Sequence, residues 1–362
     1  MQNIVQSADR DQRRTGSLLP FLIAGLMIIF SQSATAQFSG GGYAEAYTQR
    51  DIGARPIAMA GAYTAVSNEP NSIFYNPGGL GFFSESPMFS GAVSSSGFGR
   101  TNASLSWAQL VYDNLGVGVG INSNISGSFQ GRNILGQPTN ELQGLQYNIN
   151  MAAAYRIEFM SMGLNVKYLT NNLLGSETFA NGYGIDIGTK FHVMDMFSAG
   201  IAVQNISAMM FWNNDAEDAE PLPYTVRAGV AMEYGLNEEE YFTRSTVTGD
   251  LERVYVPPTR YILLSIDGVL RQYHNNPSLI AGVEASVHEM LAFRGGLTLY
   301  GDKYGTGELF PMNNWGAGIS LRPQLEELFE DIPFDAHIDY TISDEYMTQS
   351  GISHHISLMF EF

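Results

Sequence analysis

Cysteine is absent from the 362-residue chain. That excludes disulfides, thiolate zinc sites and cysteine nucleophiles together. Basic residues are scarce: 18 Lys and Arg stand against 36 Asp and Glu, for a net charge of −18. Such an acidic chain disfavours nucleic acid as a partner, because phosphates need a basic surface. Charge of either sign is thin, at 15% against about 25% in ordinary soluble proteins. Long apolar runs are missing too. The run Leu18 to Phe30 contains Pro20 and falls short of the ~20 residues a spanning helix requires.

Glycine and aromatic residues are abundant instead, with 39 glycines and 12% Phe, Trp and Tyr. Mean hydropathy is only −0.06, so apolar and polar residues must be interleaved rather than segregated. Such interleaving suits a wall with lipid on one side and a polar lumen on the other. At the N-terminus, Arg10, Arg13 and Arg14 precede the apolar run, and Ala34-Thr35-Ala36 follows it. A basic start, an apolar middle and an A-x-A site read as a cleavable signal peptide over residues 1–36. An exported chain with this interleaving is expected in the outer membrane of a diderm bacterium, with membrane lipid around it.

Period-2 alternation runs through the remainder. Leu115, Val117, Val119 and Ile121 oppose Gly116, Gly118, Gly120 and Asn122, while Met162, Leu164, Val166 and Tyr168 oppose Gly163, Asn165 and Lys167. Windows of this kind predict an all-β membrane fold: about fourteen antiparallel strands over residues 86–362, closed as a transmembrane barrel. The last strand ends in Phe360-Glu361-Phe362, and a C-terminal aromatic is similar to the ending of known outer-membrane barrels. Short connections such as Asp113-Asn114 alternate with long ones, Asn124–Gly144, Ser207–Pro223 and Gly301–Asn313. Short turns belong on the periplasmic side and long loops outside. Two connections on the short side are nonetheless long, Gly235–Pro258 and Pro323–Pro333. The second carries a helix-like Gln324–Phe329, and either the connections are functional or a hairpin is miscounted there.

Residues 37–85 do not alternate. A fourteen-stranded barrel is too wide for its own side chains to fill, since about eight strands is the self-filling size. This Gly- and Ala-rich segment is therefore expected to fold into the lumen as a hatch. Asn76-Pro77-Gly78-Gly79 reads as a tight type II turn, with a glycine at positive φ. Gly53-Ala54-Arg55, Met59-Ala60-Gly61-Ala62 and Tyr75-Asn76-Pro77-Gly78-Gly79-Leu80 resemble the N-terminal signature of the PorV/PorQ group, within the wider FadL-like outer-membrane family. Weaker matches follow at Gly200–Asn205, Leu222-Pro223, Arg227-Ala228-Gly229, Gly282-Val283-Glu284 and Phe293–Gly296. Where the group has Met-Gly-Gly and Asn-Pro-Ala, this chain has Met59-Ala60-Gly61 and Asn76-Pro77-Gly78. The resemblance implies a fourteen-stranded barrel with an N-terminal hatch. It also implies an accessory role in type IX protein secretion, with the translocon and its cargo as partners. The alternative it implies is a FadL-like transporter of long-chain fatty acids or other hydrophobic compounds.

Catalytic patterns are not found. Gly116-x-Gly118-x-Gly120 has no βαβ context, and no His-Glu-x-x-His or Gly-x-Ser-x-Gly occurs. The acidic run Asp215, Glu217, Asp218 and Glu220 lacks a calcium-loop spacing. His354 and His355 fall on opposite faces of one strand. The expectation is a non-enzyme without cofactor or metal. With apolar positions in lipid, Lys167, Asp186, Lys190, Arg227, Glu233, Glu284, Arg294 and Asp339 point into the lumen. Both signs are present, so these groups are expected to pair with one another and with hatch charges such as Glu45, Arg50, Asp51, Arg55 and Glu69, rather than to form a single-sign selectivity ring.

Overall fold

The computed structural model describes residues 46–194, 196–213, 219–237, 239–244, 251–256, 258–272, 276–301, 315–323, 334–345 and 351–362. The expected signal peptide over residues 1–36, Glu45, the acidic residues 215–218 and the stretch 324–329 expected to be helical lie outside them. No helix among the described residues is long and apolar enough to cross a membrane.

Fourteen antiparallel strands close into a barrel. In chain order they are Met88–Ser96 (β1), Arg100–Tyr112 (β2), Leu115–Ile125 (β3), Pro138–Ile157 (β4), Met160–Leu174 (β5), Phe179–Met194 (β6) and Phe197–Trp212 (β7). The second half comprises Thr225–Gly235 (β8), Tyr261–Arg271 (β9), Ser278–His288 (β10), Leu291–Tyr300 (β11), Trp315–Leu321 (β12), Asp335–Glu345 (β13) and Gly351–Glu361 (β14). Each strand pairs with its sequence neighbours, and β14 returns to β1 in the register Met88↔Glu361 to Ser95↔His354. Closure leaves no unpaired edge, as an apolar solvent demands. The C-terminal Phe362 caps the seam, donating its backbone N–H to Pro87 O and packing its ring on Phe89 and Phe334.

Alternation sets which face meets lipid. Leu105, Val119, Met151, Leu164, Val230 and Leu264 are exposed on the outside, whereas Ser104, Ser106, Asn150, Asn165 and Ser265 are buried within. Exposed aromatics gather at both strand ends, with Tyr112, Tyr155 and Tyr234 at one and Phe179, Phe211 and Tyr300 at the other. These are the interfacial girdles of a spanning barrel.

Three strands run well past their alternating windows Leu145–Arg156, Met160–Leu169 and Phe197–Ile206. β4 begins at Pro138, β5 runs to Leu174 and β7 runs to Trp212, which pairs with Ala180 near the start of β6. The long connection between β8 and β9 holds a separate hairpin, Glu239–Arg244 paired with Leu251–Val256. It stands outside the barrel sheet and leaves the count of fourteen intact.

The asymmetry of the connections yields a topology test. Ile134 and Leu135 are fully or largely exposed in the β3–β4 connection. An epitope placed between them should be labelled on intact cells. One placed at 113–114 should be reached only after the outer membrane is permeabilised. Labelling of 113–114 on intact cells would reverse the orientation.

Candidate functional site

Ala46–Gln49 forms a 3-10 turn and Ala54–Ala58 a short helix (α1); two further 3-10 turns follow, Pro70–Phe74 and Pro77–Phe82. Gly53 and Gly61 flank α1 with φ of 89° each, a left-handed conformation that glycine adopts without strain. Apart from Asn68, Phe74 and Phe82, residues 52 to 83 are all buried.

This segment touches every strand of the wall. Asn71 hydrogen-bonds Ser90 on β1 and Ser106 on β2. Gly118 on β3 faces Ile73, and Gly163 on β5 faces Pro77. Tyr47 reaches Asn148 on β4. Lys190 on β6 donates to Val66 O and Ser67 O, and Ser198 on β7 donates to Ala65 O. Arg227 on β8 donates to Gly61 O. Asp267 on β9 accepts the backbone N–H groups of Tyr63 and Thr64 at 3.1 and 2.9 Å. Met59 packs against Gly282 on β10 and Gly296 on β11, while Ile57 and Ala58 pack against Gly316 on β12. Thr341 on β13 donates to Ala54 O, and Ser357 on β14 accepts Ala54 N–H, at 2.8 and 2.7 Å. The segment therefore fills the lumen as a hatch.

Ions fix one side of the hatch. Arg55 on α1 pairs with Glu69 at 2.7 Å and with Glu284 on β10 at 2.6 Å. Glu284 also receives Arg294 at 2.7 Å, Arg322 at 3.4 Å and the Tyr261 hydroxyl. Arg294 continues to Asp339 at 2.6 Å. Burial penalises the Arg55 cation, but Glu284 and Glu69 outweigh it and raise its pKa above the ordinary value. Burial likewise raises the Tyr63 hydroxyl, which stays protonated. A second cluster lies across the lumen. Lys167 pairs with Asp186 at 2.7 Å, and both bond to Asn205, which also holds Pro223 O.

The sequence-derived residues thus fall into three groups. Arg55, Glu284, Arg294 and Asp339 form one network and Lys167 and Asp186 another; Lys190 reaches hatch carbonyls, and Arg227 reaches Gly61 O and pairs with Asp267 at 3.8 Å. Glu233 is only half-buried. Asp267, Tyr261 and Arg322 were not singled out in the sequence. The first two share the polar parity of β9 with Ser265, a signal that inspection of that face alone would have caught.

The expected type II turn at Asn76 is corrected. Neither Gly78 nor Gly79 has positive φ. Pro77 opens the 3-10 turn Pro77–Phe82, and Asn76 caps it by accepting Gly78 N–H at 3.0 Å. Proline suits the first helical position because no N–H is needed there. The glycines are required for space. A Cβ on Gly78 would lie 2.9 Å from Gly188 O and Lys190 N on β6, and one on Gly79 would collide with Ser67 O.

Not all of the lumen wall is polar. Leu169, Ala180, Ala208, Met210 and Leu222 form a buried apolar cluster with Trp212 at the long-loop end of β5–β7. A larger apolar groove, of 1110 Å³, is lined by Phe89, Val93, Leu105, Trp107, Ile356 and Leu358. Those side chains face outward, so that groove belongs to the lipid-facing surface and not to the lumen.

No known family profile and no curated protein matches the chain. Solved structures do. The toluene transporter TodX of Pseudomonas putida aligns with 10% identity and a TM-score of 0.53, covering 86% of this chain and 98% of its own. A deltaS2S3 mutant of TodX, described as a monoaromatic hydrocarbon channel, gives 11% identity and a TM-score of 0.52 over 86% and 98%. The chain shares their fold. A FadL homologue from Pseudomonas aeruginosa aligns less closely, with 9% identity and a TM-score of 0.44 over 86% and 98%. None of the three is named as a PorV or PorQ protein.

Proposed function

We propose that this protein is an outer-membrane channel that admits small hydrophobic molecules past a movable hatch, without catalysis and without a cofactor. The observation that carries the reading is the apolar cluster of Leu169, Ala180, Ala208, Met210 and Leu222 with Trp212, on the inward face at the long-loop end of β5–β7. Such a cluster gives an ion conduit nothing, but, uncovered when the hatch moves, it offers a hydrophobic solute an apolar surface. The fold shared with a toluene transporter supports the same reading. The secretion-partner role implied by the N-terminal resemblance, with its translocon and cargo, draws no support from the fold comparison. The hydrophobic-transport alternative therefore becomes the main reading.

Toluene uptake by cells carrying the protein, compared with cells lacking it, is the test. Uptake should be saturable and protein-dependent. Exchanging Leu169→Asn and Met210→Gln should lower it about tenfold, corresponding to ~1.4 kcal/mol of lost apolar contact. Uptake that is equal with and without the protein would overturn the proposal.

A further inference from the structure

Strand register carries one lumen rung across six strands. Ser104 pairs with Asn122, Asn122 with Asn148, Asn148 with Leu169, Leu169 with Gly182 and Gly182 with Met210. The rung is split, with a hydroxyl and two amides on β2–β4 and apolar groups on β5–β7. The next rung outward runs from Asn102, Asn124 and Gln146 through Asn171 on β5 to Ala180 and Trp212, so its polar half extends one strand further. Leu169, Ala180, Met210 and Trp212 belong to the apolar cluster already described.

The polar half is incompletely satisfied. Asn122 is 0% exposed, yet neither its amide oxygen nor its amide nitrogen has a hydrogen-bond partner. Asn102 Nδ2 and Asn124 Oδ1 are buried in the same condition. Leaving buried amides unpaired costs free energy, and native proteins keep few of them. Several on one wall point to a polar group that they receive. That group is uncharged. Lys167, on the adjacent rung, is already held by Asp186 at 2.7 Å, so no carboxylate is called for. Amides both donate and accept, which matches a hydroxyl.

The hatch itself supplies a guide to the shape. The turn Ala46–Gln49 lies against this wall, and the buried Tyr47 places its hydroxyl 3.5 Å from Asn148 Nδ2. A phenol already rests beside the amides. We propose that the split rung binds small neutral aromatic molecules that carry one hydroxyl, with Tyr47 as the resident group they displace. The head bonds Asn122 and Asn148, and the ring lies toward Leu169 and Met210. This inference rests on the channel reading and narrows its substrate class.

The test measures binding of 4-methylphenol and of toluene to the full-length protein in detergent by calorimetry. Wild-type protein should prefer 4-methylphenol. Tyr47→Ala should tighten its binding several-fold by vacating the position. Asn122→Leu should lower the 4-methylphenol-to-toluene affinity ratio about tenfold, and Asn148→Leu provides a second reading if the first variant does not insert. An unchanged ratio in both leucine variants would overturn the inference, with the amides then serving ordered water alone. If toluene uptake depends on the protein while 4-methylphenol has no advantage, only the substrate class fails. If neither compound binds and uptake is protein-independent, the channel reading fails with it.

Discussion

Replacing Glu284 with alanine should produce the largest loss of hatch stability in the molecule. Glu284 is fully buried and accepts from Arg55 on the hatch, from Arg294 and Arg322 on the wall, and from Tyr261. Its removal leaves guanidinium groups buried without their shared acceptor, a change that costs about 3–5 kcal/mol for a buried pair. The fourteen-strand ladder does not depend on that carboxylate, so the barrel should still insert and still run as a compact species before heating. The hatch should loosen, and small polar sugars should swell liposomes carrying the variant faster than those carrying wild type. Arg55→Met should have a smaller effect, because Arg294 and Arg322 still satisfy Glu284. If Glu284→Ala is as impermeable as wild type, the network does not hold the hatch.

The second large effect is expected from Gly79→Val. The added Cβ falls on Ser67 O, and neither backbone can yield without moving the turn Pro77–Phe82 off the wall. Gly78→Val meets β6 backbone at 2.9 Å and should act in the same direction. Overpacking of this kind costs typically 1–3 kcal/mol and more where backbone is the obstacle. Both variants should assemble in the outer membrane, leak polar solutes and lose hydrophobic uptake. Gly295→Val is the control, since its nearest neighbour would be Val283 at 3.9 Å on the outer face. Failure of Gly79→Val to insert would mean that the turn serves assembly of the barrel.

How much of this was legible in the sequence follows from where two solvents meet. From Leu115 to Asn122 one face is lipid and the other lumen, so alternation is clean and the strand was readable. From Pro138 to Gln143 Leu142 is the one large apolar side chain, so the start of β4 left no period to detect. At Ala208 to Trp212 the lumen face is itself apolar, which hid the end of β7 by removing the contrast. The Asn-Pro-Gly-Gly pattern was ambiguous in principle. Proline serves a type II turn and a 3-10 start equally, and it is the Asn76 cap together with contact on β6 that selects the second. The partnership of Arg55 with Glu284, 229 residues apart, could not be read from one chain. Only their shared inward direction could.

The central claim is that passage requires the hatch to move, and the absence of native cysteine makes it directly measurable. Ala54 N and Ser357 Oγ are 2.7 Å apart, linking α1 to β14. The pair Ala54→Cys with Ser357→Cys is placed to test a tie between hatch and wall, with cross-linking verified by the loss of free thiol before uptake is measured and the two single variants as controls. Toluene uptake should be abolished in the oxidised double variant and restored by reductant, while the single variants respond to neither treatment. Full uptake by a completely cross-linked protein would contradict the account.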